Sequence, residues 1–545
     1  MDPSTLRMYA RFATGLPRHL RRRITLDEAR AIVAGRLARR EENFLHLVDR
    51  TVWARPASPY RWLLGQARVE PGDLASTVRR DGLELALSAL RDAGVYVTFE
   101  EFRGTAPIVR DGQVLQIRSS EFGNPLLAGS HELESGGSTG IARRVTTNLA
   151  DLSAQAPALL LFHHAHEVVG LPMALWSEPL PASGLNSVLM RIPCGAVPER
   201  WFTSLGSDYR PALRFRVANR ATLAIAHAVG VRIPRPEHLP FDNALKIVRW
   251  ACEARDRAGG SHVGTTVSRA VRIAVVAREA GLNLSRVILS AGGEPPTDAK
   301  AYEIRRSGAS LASHYFFTEI GAVGLGCARS SDPNDQHFLA DHLAVIAHPR
   351  TVPGSARAVG AFHFTTLLPT ARNILLNVES DDYGRIESRE CGCPLGEVGY
   401  DLHVLGIRSF RKLTGEGITL VGSDLERILE ETLPARFGGT PLDYQFTEEE
   451  DERGRTRIVL VASPRLELPD EGEVVAQVLE AMERLGDGGG LARAVLESAD
   501  AVRVRRAEPR WTSRGKFLPL DSGLPSTRLD YLDQTTLRGN TRGGE

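Results

Sequence analysis

Short apolar runs alternate with helical patterns along most of this chain, and that alternation commits it to an α/β body. Residues 272–276 and 287–289 are such runs, and 345–346, 361–366 and 374–378 read as later strands. Residues 95–99 and 114–117 read as strands too. Helical patterns cover 73–93 and 148–168, and Thr25-Leu26-Asp27-Glu28 is a capping box that opens a helix to about residue 47,. The texture changes near Gly406: helices over 425–433 and 473–485 and strands over 456–461 and 502–504 make a compact α+β module,. A chain of 545 residues exceeds what one core supports,. We therefore expect a large N-terminal domain over 1–405, with 1–50 as a helical extension. A small C-terminal domain over 406–525 and a polar tail over 526–545 would follow,.

Composition excludes several classes. With 42% hydrophobic and 24% charged residues the chain is ordinary globular material, and a net charge of +1 gives no electrostatic case for nucleic acid or an anionic membrane,. No apolar run reaches the length of a membrane span, and Met1-Asp2-Pro3-Ser4 does not begin a secretory signal,. Five cysteines do not make a disulfide framework at this length, so a cytoplasmic protein is expected,. Of 67 basic residues only Lys246, Lys300, Lys412 and Lys516 are lysines. Arginine cannot replace a compact ammonium, so each lysine poses its own question.

The chemistry starts at Ser135-Gly136-Gly137-Ser138-Thr139-Gly140. Glycines let backbone approach a ligand, and hydroxyls with free amides hold phosphate oxygens. The run lacks the Gly-Lys-Ser/Thr ending of the P-loop. Alone it also fits a surface turn. Four segments follow it: Gly292-Gly293-Glu294-Pro295, Tyr315-Phe316-Phe317-Thr318-Glu319, Asp382 in Ser380-Asp381-Asp382-Tyr383-Gly384-Arg385, and Arg514-Gly515-Lys516. These are the parts needed to attack ATP at its α-phosphate. A glycine turn and an aromatic ring can receive adenine. A carboxylate can take both ribose hydroxyls, and a hydroxyl and a second carboxylate can position phosphate and Mg²⁺. A lysine can neutralise charge between attacking carboxylate and phosphate.

In order and local sequence these segments resemble the adenylate-forming superfamily, in its phenylacetate–CoA ligase branch, over residues 60 to 520 or so. The resemblance implies a large N-terminal α/β domain, a small mobile C-terminal domain, and two steps. An acid and ATP give an acyl adenylate and pyrophosphate; a thiol, usually coenzyme A, then displaces AMP. By the same resemblance Ser135, Gly136, Gly137, Ser138, Thr139 and Gly140 would bind the β- and γ-phosphates. Gly293, Glu294 and Pro295 would lie along adenine with Tyr315 stacked on it. Thr318 would contact the α-phosphate, Glu319 hold Mg²⁺, Asp382 bind ribose, Arg408 match the arginine after the domain junction, and Lys516 catalyse adenylation.

The sequence also departs from that pattern. Phe316 stands where the family has glycine, which should narrow the adjacent acyl pocket. Ala142 and Arg143 replace the usual loop residues, and the hinge Gly406-Ile407-Arg408-Ser409-Phe410-Arg411-Lys412 has no aspartate. The adenylation half is complete and the transfer half is not. The acceptor is therefore open between coenzyme A, a carrier-protein thiol and an amine, and a non-catalytic nucleotide-binding homologue is the remaining alternative.

Cys327, His337, Cys391 and Cys393 would make a full tetrahedral shell for structural zinc, and similar cysteines in the same branch imply one,. The plain alternative is four unrelated small residues, since free cysteine is often buried as an apolar group. His163, His164 and His166 do not share one helix face and read as core-edge or pocket-wall residues,. Trp176 reads as an acyl-pocket wall or plain core. Lys300 reads as a solvated helix residue, and Lys412 as one that contacts nucleotide when the small domain swings.

Overall fold

The computed structural model describes residues 3–134, 144–206, 210–351, 358–409, 412–415, 418–450, 456–484, 502–512 and 515–521. The loop Ser135 to Gly140 with its flank Ala142 and Arg143, and the tail over 526–545, lie outside them.

Helices Pro3–Arg21, Leu26–Ala38 and Arg40–Val48 stand at the start. The Thr25–Glu28 capping box forms with both reciprocal bonds,. Arg39, with ψ of 25°, breaks the single helix expected there into two. Gly82 does the same further on: at φ +84° it separates Pro71–Asp81 from Leu83–Asp92, a backbone position that favours glycine,. Both halves still bury one apolar stripe, including Leu74, Val78, Leu87 and Leu90,.

The body is built on one sheet of 12 strands among the described residues. Across the sheet they run Leu343–Thr351, Ala358–Thr366, Val378–Ser388, Leu402–Ser409, Asp335–Phe338, Gly321–Gly326, Ser310–Phe317, Val287–Gly292, Ser261–Thr266, Met173–Trp176, Arg200–Thr203 and Pro236–His238. From Ser310–Phe317 to Pro236–His238 every pairing is parallel. On the other side of Ser310–Phe317 every pairing is antiparallel. The parallel half is covered on both faces. Leu149–Ala165 and Gly184–Arg191 contribute to one hydrophobic cluster, and Leu245–Ala258 with Val267–Glu279 to another. That double cover is why all four residues of Met173–Trp176 are buried rather than alternating,.

Several expected boundaries move. Residues 272–276, read as an apolar run of the strand kind, lie inside helix Val267–Glu279, whose continuous burial imitates a core strand,. Of the strand expected over 95–99, only Val97 bridges, to Val378, while Phe99–Arg103 is a helix capped by Thr98. The strand expected over 374–378 begins at Val378 and runs to Ser388, so Asp382 lies within a strand rather than after one.

A second, smaller sheet orders Val502–Arg506, Thr456–Ala462, Tyr444–Glu450 and Leu520–Asp521. Helix Glu471–Glu483 packs on it through Val474, Val478 and Met482, in a hydrophobic cluster of its own. The fold is thus an α/β body with helix-flanked sheet and a small α+β C-terminal module. The boundary expected between 405 and 406 falls inside strand Leu402–Ser409, which stays paired with the large sheet up to Asp382 opposite Ser409. Among the described residues no helix is long and apolar enough to cross a membrane.

Candidate functional site

Parallel strands present their carboxyl ends at one edge, and crevices beside those ends are where α/β proteins bind ligands. Strand Val287–Gly292 ends there in Gly293, at φ +81°, followed by Glu294 and Pro295. Strand Ser310–Phe317 carries Tyr315 and delivers Thr318 and Glu319. Asp382 reaches the same space from Val378–Ser388. Together with Lys516 from the C-terminal module these residues line a cavity of about 240 Å³. Four segments spread over more than two hundred residues converge on it.

Tyr315 donates its hydroxyl to Asp382 Oδ2 at 2.7 Å. Burial, and then the carboxylate's charge, push the phenol well above its ordinary pKa, so it remains a donor. Glu294 is half-buried, and its carboxylate accepts from the backbone N–H and hydroxyl of Ser268, at the start of helix Val267–Glu279. Burial raises its pKa, with Lys300 and Lys516 opposing.

Three residues that the sequence reading passed over hold the Thr318–Glu319 turn. Arg372 donates to the Thr318 carbonyl at 2.7 Å and Asn373 to the Glu319 carbonyl at 2.7 Å. Asp151 anchors Arg372 at 2.5 Å. Their separation in sequence from the Thr-Glu pair leaves no local signal.

Lys516 is presented by a turn in which the Thr512 N–H donates to its carbonyl at 2.9 Å and its own N–H donates to the Thr512 hydroxyl at 3.0 Å. Thr266, at the end of a parallel strand, donates to the Gly515 carbonyl at 3.1 Å. The lysine then crosses Gly293 so closely that a Cβ on that glycine would lie 3.6 Å from Nζ. Beneath the turn lies Arg269, fully buried and tied to the Trp176 carbonyl at 2.9 Å, Glu178 at 2.5 Å and Ser204 at 2.9 Å.

A second cavity, of about 190 Å³, adjoins the first and shares Gly293, Thr318, Phe316 and Lys516 with it. Leu159, Phe162, Leu175, Trp176 and Met190 form its apolar wall. Phe316 therefore does stand against this space.

Other residues fall elsewhere. Arg408 is not brought to the first cavity: Ile407 and Ser409 line it, while Arg408 lines a separate groove with Arg385, Arg427 and Glu431. Strand alternation sends it there. Lys300 is not solvated. It is buried, with Nζ 2.7 Å from Glu430 Oε1 of the C-terminal module, and the Thr297 hydroxyl donates to the other oxygen. Lys412 belongs to strand Lys412–Gly415, and its side chain is outside the described residues. His163 is buried against His262 with ring centroids 5.6 Å apart, and His166 Nε2 lies 2.9 Å from the Gly326 carbonyl.

Cys327, His337, Cys391 and Cys393 come together, with their ligand atoms all within 4.8 Å of one another. Cys327 follows strand Gly321–Gly326, His337 lies on its neighbour, and the two thiols of 391–393 come from the turn after Val378–Ser388. His337 Nε2 lies 3.0 Å from Cys393 Sγ and 3.6 Å from Cys391 Sγ. Its Nδ1 lies 2.6 Å from the Tyr400 carbonyl, which fixes the N–H there and leaves Nε2 its lone pair for a metal,. Hydrogen bonding from Cys327 holds the Cys393 thiol far below its ordinary pKa. Donor set, spacing and outer hydrogen bond fit zinc.

No protein-family model matches the chain, and no curated protein is similar to it in sequence. Among solved structures, similarity extends to 2-hydroxyisobutyryl-CoA ligase in complex with 2-HIB-AMP and CoA, at 16% identity over 92% of each chain and a TM-score of 0.45. It extends also to the amide bond synthetase McbA from Marinactinospora thermotolerans, at 14% identity over 93% of this chain and 98% of that one, TM-score 0.42. The anthranilate CoA ligase AuaEII in complex with anthranoyl-AMP is similar at 11% identity over 79% and 74%, TM-score 0.44.

Proposed function

We propose that this chain is an adenylate-forming enzyme that activates a small carboxylic acid with ATP and passes the acyl group to a thiol, most simply coenzyme A. One observation carries the reading: Lys516 stands at the junction of the two cavities, lining both, beside the Gly293 turn.

Nucleotide would occupy the first cavity, with adenine along Gly293 to Pro295 against Tyr315 and ribose hydroxyls on Asp382. The acid would enter the second, its carboxylate directed at Lys516. A carboxylate oxygen then attacks the α-phosphorus; that P–O bond forms, the bond to the bridging oxygen breaks, and pyrophosphate leaves. Negative charge gathers between two anions in this step, and the ammonium of Lys516 would offset it where water is excluded. Thr318 would donate to an α-phosphate oxygen, with Arg372 and Asn373 fixing the turn that carries it. Glu319 would hold Mg²⁺, which, when bound, neutralises phosphate charge. The loop Ser135 to Gly140 is assigned to the β- and γ-phosphates.

Cys327, His337, Cys391 and Cys393 would hold zinc as a structural tie between strands and the 391–393 turn. For the second step, the hinge over 406–412 has no aspartate, and this favours an amine or a carrier-protein thiol as the alternative acceptor. Pyrophosphate exchange into ATP across a panel of acids tests the first step; product analysis with and without coenzyme A tests the second.

A further inference from the structure

We propose that the acid taken by the second cavity carries a second anionic group, and that Arg191 receives it. The proposal rests on the reading that this cavity holds the acid. Three buried arginines surround the region. Arg269 pairs with Glu178 and Arg372 with Asp151, each at 2.5 Å. Arg191, 5% exposed, has no carboxylate partner among the described residues. Its Nη1 donates to the Ser187 carbonyl at 3.0 Å, while its Nε is buried without a partner.

A buried charge is costly unless it is paired. The carbonyl end of helix Gly184–Arg191 offers a partial negative charge, short of a full counterion,. Loss of the proton does not relieve this cost either. Burial pulls the guanidinium down only to about 10, so it stays charged at neutral pH. The histidines nearest its charge, His163, His262 and His314, are held neutral by burial and by Arg191 itself.

Space is kept in front of the guanidinium. Gly264 has no side chain, and a Cβ there would lie 3.6 Å from Arg191 Nη2 and 3.0 Å from Met173 Cε. Two neutral donors in the same cavity wall, Asn186 Nδ2 and Ser290 Oγ, are also buried without partners. Arginine, amide and hydroxyl donors thus share a cavity with an otherwise apolar wall, and Lys516 lies on the same lining. This pattern suits a short acid with anions at both ends: one carboxylate for Lys516, the other for a guanidinium fork.

The test compares malonate, succinate and glutarate with butyrate and pentanoate on the full chain. Pyrophosphate exchange and calorimetric binding are read for the wild type, Arg191→Met and Arg191→Lys. The expected result is a dicarboxylate favoured over its matched monoacid by roughly 30-fold or more, a ratio that collapses in Arg191→Met and is partly kept in Arg191→Lys. Arg191→Met should unfold no earlier than the wild type, because an apolar side chain replaces an unpaired buried charge. A wild type that uses monoacids equally well, or a ratio unchanged in Arg191→Met, would overturn the proposal and leave adenylation standing. Dicarboxylate binding that depends on Arg191, without exchange on any acid, would support it and condemn adenylation instead. Absence of both binding and exchange with every dicarboxylate would overturn it.

Discussion

A Cβ built on Gly515 would lie 1.8 Å from Nη2 of Arg269. Gly515 has φ of +72°, and the guanidinium beneath it is pinned by Trp176, Glu178 and Ser204. The turn that delivers Lys516 is therefore seated on the large domain by contact with a rigid buried cation. It cannot sit there with any other residue at 515.

Gly515→Ala should thus lift Lys516 out of register while the C-terminal module stays folded. Displacement of about 1 Å at a reacting group costs on the order of 100-fold in rate. The exchange rate should fall accordingly, with the circular dichroism spectrum unchanged. An active Gly515→Ala would show that Lys516 works from another seat.

The buried Lys300–Glu430 ion pair joins helix Asp298–Arg306 of the body to the C-terminal module. Removing one partner strands the other's charge, at about 3–5 kcal/mol for a buried pair. Lys300→Met should release the C-terminal module at lower urea than the body, visible as a split transition by limited proteolysis. Lys300→Met with Glu430→Gln should recover much of the loss. A single coincident transition in Lys300→Met would contradict this.

Burial lowers His131 and His363 to about 4, and His262 and His314 to about 3, with Arg191 adding to the last two. Unfolding frees these rings to protonate near 6.5, so the unfolded chain binds more protons below that pH. Their contribution is complete above about pH 6.5 and is lost as pH falls through the folded values. Each ring adds a slope of about 1.4 kcal/mol per pH unit within that window. Urea midpoints at pH 7.5, 6.0 and 5.0 should decline steadily; equal midpoints would count against the burial of these rings.

Elemental analysis of the purified chain should find one zinc, held by Cys327, His337, Cys391 and Cys393. Since such a set is formed only on folding, metal loss lowers stability. Cys393→Ser should lower both metal content and Tm, and a chelator should bring the wild type toward the variant. Metal-free protein with the Tm of Cys393→Ser would remove the site.

Much of this was legible in sequence. Gly293, Tyr315, Thr318, Asp382 and Lys516 are marked by local motifs, and the α/β alternation places most of them at strand ends, where they converge. Residues that act through tertiary partners were not legible. Lys300 looks solvated in a helical pattern because Glu430, which makes it a buried pair, comes from the other module. Arg269, Arg372 and Arg191 sit in ordinary sequence among many arginines; only the presence or absence of Glu178, Asp151 and a counterion tells them apart. Residues 272–276 misled because a helix buried on all sides has no amphipathic period. Strand alternation sends Arg408 to the opposite face from Ile407 and Ser409, a placement that the local sequence does not announce,.

The most direct measurement is ATP–pyrophosphate exchange by Lys516→Ala on an acid the wild type activates, with ATP binding followed by calorimetry. Adenylation by a lysine that neutralises the transition state predicts exchange reduced by roughly 100-fold or more, with ATP affinity changed only a few-fold. Exchange at the wild-type rate in Lys516→Ala would contradict the account.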